Sequence, residues 1–199
     1  MRIGIMGGTF NPPHKGHINA ARSAQREIGL DRLIFIPAGI PPHKEMDNSA
    51  SAEDRMEMCR LAFRDVEGVI VSDIEIKRDG KSYSIDTLRH MSCEDQRLFM
   101  LCGTDMMLTL GDWDDADEIF KLCYPVYIRR EEDRALDAKI IEKNTEYFEK
   151  YGKYVIKLDS PVIDISSTEL RAKMKNGEDV SAYVDAEVLK YIQEKGLYQ

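Results

Sequence analysis

The sequence predicts an α/β fold: a Rossmann-like, doubly wound parallel sheet with a small C-terminal helical part. Short apolar runs without polar alternation, such as 33–36 and 98–102, are typical of strands covered on both faces. Segments with apolar residues at helical spacing, beginning with 18–28, separate these runs. We expect a single domain over 1–199, with helices from about 166 onward packed on the sheet.

The composition limits the classes of protein that this chain can be. A formal net charge of −8 argues against a nucleic-acid or anionic-membrane partner, so an anionic ligand needs a local basic pocket. No apolar run reaches the roughly 20 residues of a membrane span, and we expect no signal peptide. The cysteines indicate core positions in a reduced, cytoplasmic protein. They are Cys59, Cys93, Cys102 and Cys123. The oligomeric state is left open, a homo-oligomer included.

A glycine-rich turn over 7–17 follows the first predicted strand, 3–6, and leads into the first helix. It reads Gly-Gly-Thr-Phe-Asn-Pro-Pro-His-Lys-Gly-His. The two leading glycines let a polyphosphate approach the main chain, and a helix N-terminus attracts anions. If they lie on one turn of the helix, His14 and His17 can both donate hydrogen bonds to phosphate oxygens. A plain turn with two surface histidines is the alternative, but this run is unusual for a loop. The Gly-x-Gly-x-x-Gly and Walker patterns are both absent.

Gly29 ends the first helix, and the strand at 33–36 opens into a loop that contains Pro-Pro-His-Lys up to Lys44. The loop lies at the carboxyl end of a strand, where open α/β sheets bind ligands. Lys44 is therefore either an ordinary solvated lysine or a clamp for phosphate, and its neighbours favour the clamp.

The next segment combines a capped helix, a strand and a second helix start. Ser51 begins a helix, 69–71 is a strand, and apolar and polar residues alternate over 73–77. A further helix starts in 82–88, which as a pattern alone is only a polar helix entry. His90 is a surface or helix-end histidine.

The strand at 98–102 ends at Gly103-Thr104-Asp105. A carboxylate at this position either binds ribose hydroxyls in the ligand crevice or caps the next helix, and the pattern leaves both open. Trp113 stands among four aspartates, which favours a stacking platform for a flat ligand over a core position.

The strand at 126–128 ends at two arginines, Arg129 and Arg130. They either pair with the acidic residues that follow or hold a substrate phosphate. An amphipathic helix is predicted over 135–150 and a last strand over 154–158.

The segment Ile-Ser-Ser-Thr-Glu-Leu-Arg at 165–171 starts another helix. A capping box explains its first serine and its glutamate. It does not explain Ser167, Thr168 and Arg171, which share one face at the helix N-terminus and together can bind a triphosphate. The remaining residues predict one or two short helices.

The His-Lys-Gly-His run, the Ile-Asp-Thr-Leu segment 85–88, Trp113 and the segment 165–171 occur in this order along the chain. The pattern resembles the bacterial nicotinate mononucleotide adenylyltransferases of the nucleotidyltransferase superfamily. The resemblance implies adenylyl transfer from ATP to nicotinate mononucleotide in NAD biosynthesis, giving the dinucleotide and pyrophosphate, with Mg²⁺ carried by ATP. The chain departs from that pattern at Asn11, often Asp in relatives, and after Arg130, where relatives often continue Pro-Gly.

The resemblance also implies roles for single residues. Catalysis is assigned to His14, His17, Lys44 and Arg171. ATP binding is assigned to Gly8, Thr9, Phe10, His14, His17, Gly103, Asp105, Ile165, Ser167, Thr168 and Arg171. Binding of nicotinate mononucleotide is assigned to Asn11, His43, Lys44, Thr87, Trp113 and Arg130. No dedicated metal ligands are implied.

Two other functions compete with this one. A related nucleotidyltransferase would use another acceptor, such as phosphopantetheine or a sugar or alcohol phosphate. A sensor would bind nucleotide without turnover. A class I tRNA synthetase also uses a similar helix start, but the chain lacks a Lys-Met-Ser-Lys-Ser segment and a basic surface.

Overall fold

A computed structural model describes residues 1–41, 50–129, 135–161, 163 and 165–199. Within them, six strands form one parallel sheet in the order β3-β2-β1-β4-β5-β6. The strands are β1 Arg2–Gly8, β2 Arg32–Pro37, β3 Val69–Val71, β4 Arg97–Gly103, β5 Cys123–Ile128 and β6 Ile156–Leu158. The predicted doubly wound α/β fold is confirmed.

The helices connect the strands and cover the sheet. They are α1 Lys15–Ile28, α2 Ala52–Phe63, α3 Ile74–Lys77, α4 Ser84–Met91, α5 Thr104–Thr109, α6 Ala116–Leu122, α7 Ala135–Tyr151, α8 Ser167–Lys175 and α9 Ala186–Lys195. A 3-10 turn at Leu110–Asp112 follows α5. Within the alternating stretch 73–77, Ile74–Lys77 form the short helix α3. Strand β6 is two residues shorter than predicted.

The strands send alternate side chains to two apolar clusters, one on each face of the sheet. Leu33 and Phe35 lie in a cluster with residues of α1, α2, α8 and α9. Ile3 and Ile5 lie in the other cluster, with residues of α4, α5, α6 and α7. Because both faces are covered, the strands read as continuous apolar runs.

The predicted helix ends are present. Ser51 and Ser166 each close a capping box, and Gly29 ends α1 in the left-handed region with φ of 66°. The cysteine prediction was wrong at one position, since Cys93 is exposed while the other three are buried. Among the described helices, none is both long and apolar enough to cross a membrane.

Candidate active site

The candidate site lies at the carboxyl ends of β1 and β4. After β1 the chain winds toward β2 and β3, whereas after β4 it winds toward β5 and β6. The segments that follow these adjacent strands therefore diverge and leave a crevice, which is the ligand position of open α/β sheets.

Two histidines cap α1 at this crevice. His14 is the N-cap residue, and its Nδ1 accepts the Gly16 N–H at 3.2 Å. In return, the Nδ1 of His17 accepts the His14 N–H at 3.1 Å. This reciprocal box explains why α1 begins at Lys15, three residues before the predicted start. The centroids of the two imidazole rings are 3.8 Å apart, and both residues are almost fully buried.

The capping box also determines which imidazole nitrogens can donate. A backbone N–H can only donate, so each Nδ1 that accepts one carries no proton. In the neutral ring the proton is then on Nε2. Both His14 and His17 therefore have Nε2–H as the donor group.

Gly16 is required by the close approach of the His14 ring. A Cβ at this position would lie 2.9 Å from both Cε1 and Nδ1 of His14. Any side chain here would displace the ring that caps the helix, which accounts for the glycine between the two histidines.

Other segments of the chain hold the turn over 9–12 through its carbonyl oxygens. Arg55 of α2 donates to the Thr9 oxygen at 2.9 Å. From α8, Arg171 donates to the Asn11 oxygen at 2.8 Å, and Ser167 donates to the Pro12 oxygen at 2.9 Å. The start of α8 and the turn after β1 thus lie in direct contact.

Phe10 fixes the turn from inside. It adopts a left-handed conformation with φ of 47° and is almost fully buried. Its ring lies against those of His17 and Phe35, with centroids 5.0 and 5.5 Å away. Gly8 ends β1 under this ring, where a Cβ would approach it to 3.1 Å.

A small cleft adjoins the capping histidines. Among its lining residues are His14, His17, Gly103, Arg129 and Ser160. Sequence reasoning missed Ser160, whose Oγ is buried without a hydrogen-bond partner among the described residues. It left open which of the two arginines after β5 matters. Arg129 lines the cleft and pairs with Asp137 of α7.

Thr87 and Trp113 lie on the other face of the sheet from α1. Thr87 is almost fully buried, and its hydroxyl donates to Oε1 of Glu75 at 2.7 Å. Trp113 is half-buried against the apolar cluster of that face, and its Nε1 donates to Oγ1 of Thr109 at 3.4 Å. Neither residue lines the cleft beside the histidines.

Glu75 is a buried carboxylate that sequence reasoning read only as a polar position. Burial raises the pKa of Glu75, although hydrogen bonds from Thr87 and Ser82 and the charge of Arg78 oppose this. The sequence did not indicate that this glutamate is buried, because the short helix α3 that contains it was not predicted.

The remaining predicted residues are distributed as follows. Asp105 is exposed in the first turn of α5, whose N-cap residue is Gly103. Ile165 is buried, and Thr168 receives a 3.5 Å hydrogen bond from Arg171. His43, Lys44 and Arg130 lie outside the described residues. Across the described ranges, no group of three or more His, Cys, Asp or Glu side chains is placed to hold a metal ion.

Known proteins resemble this chain over nearly its whole length. The profile described as Cytidylyltransferase-like matches residues 5–173. A Clostridium botulinum (strain Alaska E43 / Type E3) protein named probable nicotinate-nucleotide adenylyltransferase is 38% identical over 199 residues, covering 100% of this chain and 98% of the relative. A relative of the same name from the Kyoto / Type A2 strain is 39% identical over 197 residues, 98% of either chain.

Two solved structures share the fold. Plasmodium falciparum nicotinic acid mononucleotide adenylyltransferase complexed with NaAD superposes with a TM-score of 0.80 at 17% identity, covering 99% of this chain and 97% of that one. The same enzyme complexed with APC gives a TM-score of 0.77 at 16% identity, covering 99% and 96%.

Proposed function

This chain belongs to the cytidylyltransferase-like family, and we propose that it transfers an adenylyl group from ATP to nicotinate mononucleotide. The products are nicotinate adenine dinucleotide and pyrophosphate, an NAD-biosynthetic reaction. The observation that carries the proposal is the pair of imidazoles that cap α1 and line the cleft at the switch point of the sheet. The name of the Clostridium relatives supports the choice of substrates.

The reaction needs no side-chain nucleophile. A phosphate oxygen of the mononucleotide attacks the α-phosphorus of ATP, and the bond from that phosphorus to the oxygen bridging to the β-phosphorus breaks. Pyrophosphate leaves with the electron pair. Catalysis then consists of positioning and of stabilising negative charge on the transferred group, which we assign to the donors of His14 and His17.

The start of α8 is proposed to hold the triphosphate. Arg171, Thr168 and Ser167 lie where the backbone N–H groups of a helix N-terminus add positive potential, and they contact or adjoin the turn after β1. Lys44 is proposed as a second cation for the phosphates. Mg²⁺ would enter with ATP, bound by triphosphate oxygens that suit this hard cation.

The mononucleotide is proposed to extend from the crevice toward the opposite face of the sheet. Trp113 would stack on the pyridine ring, and Thr87, held by Glu75, would lie beside it. Asn11, His43 and Arg130 complete the proposed set. The ATP-binding set further includes Gly8, Thr9, Phe10, Gly103, Asp105 and Ile165.

The test is pyrophosphate release from ATP against a panel of acceptors, with products identified by mass. The panel contains nicotinate mononucleotide, its amide analogue, phosphopantetheine and simple alcohol phosphates. Fastest release with nicotinate mononucleotide, with the dinucleotide as product, supports the proposal. A preference for another phosphate would make the chain a related nucleotidyltransferase. ATP binding without release for any acceptor would make it a sensor.

A further inference from the structure

The segment after α9 returns to the turn that precedes α1. Gly196 ends α9 in the left-handed region, and Tyr198 follows with φ of 62° and only 6% exposure. A tyrosine seldom adopts this backbone conformation, so the surrounding contacts must hold it there. The Tyr198 hydroxyl donates to Oδ1 of Asn11 at 2.6 Å.

Asn11 connects this tyrosine to the candidate site. It is 4% exposed, and its backbone oxygen accepts the Arg171 guanidinium while its side-chain oxygen accepts Tyr198. An amide whose Oδ1 accepts has its Nδ2 donor on the opposite side of the group. The hydrogen bond from the tyrosine hydroxyl therefore favours the orientation in which the Asn11 Nδ2 is turned away from Tyr198.

We propose that Tyr198 is a positioning residue for adenylyl transfer, acting through Asn11 on the turn that carries His14. The proposal rests on the function proposed above. Loss of the hydroxyl would remove this hydrogen bond from the Asn11 amide and loosen the turn over 9–12. The capping box of His14 and His17 follows this turn within two residues, so the Nε2–H donors would lose their fixed direction.

A second tyrosine, seven residues earlier in α9, provides a control variant. Tyr191 of α9 also donates its hydroxyl to a side-chain oxygen, Oδ1 of Asp54, at 2.8 Å. Tyr191→Phe thus removes a tyrosine hydroxyl that donates to a carboxylate of α2 and not to the turn after β1. Tyr198→Phe and Tyr191→Phe should both lower the thermal midpoint.

The kinetic test compares these variants with nicotinate mononucleotide and ATP. We expect Tyr198→Phe to lower kcat roughly threefold to tenfold, as the loss of one hydrogen bond would, and Tyr191→Phe to stay within twofold of wild type. In an Asn11→Ala background, Tyr198→Phe should cost little more, because its effect passes through Asn11. Equal kcat values for the two tyrosine variants, or full additivity with Asn11→Ala, would overturn the inference.

A second measurement does not depend on the acceptor. Long-range ¹H–¹⁵N NMR of the imidazoles reports the ring nitrogens of His14 and His17, with the exposed His90 as internal reference. Tyr198→Phe should shift the two capping histidines, and Tyr191→Phe should not. Unchanged signals refute the positioning role even if the acceptor proves to be another phosphate. Shifted signals without any turnover would keep the effect of Tyr198 on the two histidines and refute the proposed function.

Discussion

His17 uses the two nitrogens of one ring for two purposes. Its Nδ1 accepts the His14 N–H and so closes the capping box, while its Nε2–H is the proposed phosphate donor. Glutamine is a common residue at this position of a capping box, because its side-chain oxygen accepts the same N–H. His17→Gln therefore separates helix capping from the proposed chemistry.

We expect His17→Gln to keep the thermal midpoint near that of wild type and to lower kcat roughly tenfold to a hundredfold. The reason is that the amide reproduces the acceptor but not the position of the transition-state donor. Steady-state pyrophosphate release and thermal unfolding measure the two effects. His90→Gln, at the exposed end of α4, is the control and should change neither. A kcat within twofold of wild type would remove His17 from the mechanism.

The buried carboxyl of Glu75 makes the free energy of unfolding depend on pH. Burial raises its pKa above the ordinary value of 4.5, so the folded state binds its proton more tightly than the unfolded chain does. The contribution of Glu75 to stability is therefore fully present below pH 4.5 and is lost as the pH rises through the raised pKa.

Glu75→Gln should accordingly be more stable than wild type at pH 7, with the difference vanishing below about pH 4.5. Glutamine remains neutral and can still accept the Thr87 hydroxyl. Urea unfolding at pH 4, 5.5 and 7 measures the difference.

Glu169→Gln is a control of opposite sign, because hydrogen bonds from Ser166 lower the pKa of Glu169. It should lose stability at pH 7 and approach wild type as the pH falls below 4.5. A Glu75→Gln difference independent of pH would contradict the argument.

At the scale of elements, α2 supports the turn after β1 through a fully buried arginine. Arg55 donates Nη1 to the Thr9 oxygen, while its Nε and Nη2 have no partner among the described residues. Burial lowers the pKa of this guanidinium. A buried charge with unsatisfied donors stabilises a fold poorly, and apolar replacements of similar size often do as well or better.

We expect Arg55→Met to leave the free energy of unfolding unchanged or higher, while kcat falls roughly threefold to tenfold. The fall follows from losing the hydrogen bond that holds Thr9. Chemical unfolding and steady-state kinetics give the two values. Arg60→Met, at an exposed position of the same helix, should change neither. If Arg55→Met lowers stability and leaves kcat intact, Arg55 is a structural residue only.

The elements themselves were largely predictable, for local reasons. A parallel strand covered on both faces must be apolar throughout, so β2 and β4 were recognised from composition alone. The capping residues Ser51 and Ser166 act within four residues of the chain. The start of α1 was misjudged because histidines replace the usual capping residues there. The short α3 was missed because four residues are too few to show helical spacing.

At the scale of the whole molecule, three residues that sequence reasoning missed share one property. Arg55 and Tyr198 reach the site through contacts with segments that are distant in the sequence. Ser160 lines the cleft beside histidines that are far from it along the chain. Local patterns hold no information about such contacts. Their residue types are also ordinary at their positions, so nothing marked them before the fold brought them together.

The hydrogen bond between Arg171 and the Asn11 backbone oxygen predicts that ATP binding stabilises the folded chain. Arg171 and the Asn11 oxygen are 160 residues apart in sequence, and they meet only in the folded chain. If ATP is held by these two segments, it binds the folded state alone and stabilises it by about 2.7 kcal/mol at a hundredfold excess over Kd.

We expect Arg171→Met to raise Kd at least tenfold and so to reduce the ATP-induced stabilisation by about 1.4 kcal/mol. Thermal unfolding with and without Mg²⁺–ATP measures this. Lys173→Met is the matched control, because Lys173 lies on the same helix in an exposed pair with Glu178. It should keep the full ATP effect. An equal ATP effect in Arg171→Met and wild type would mean that α8 does not hold the triphosphate.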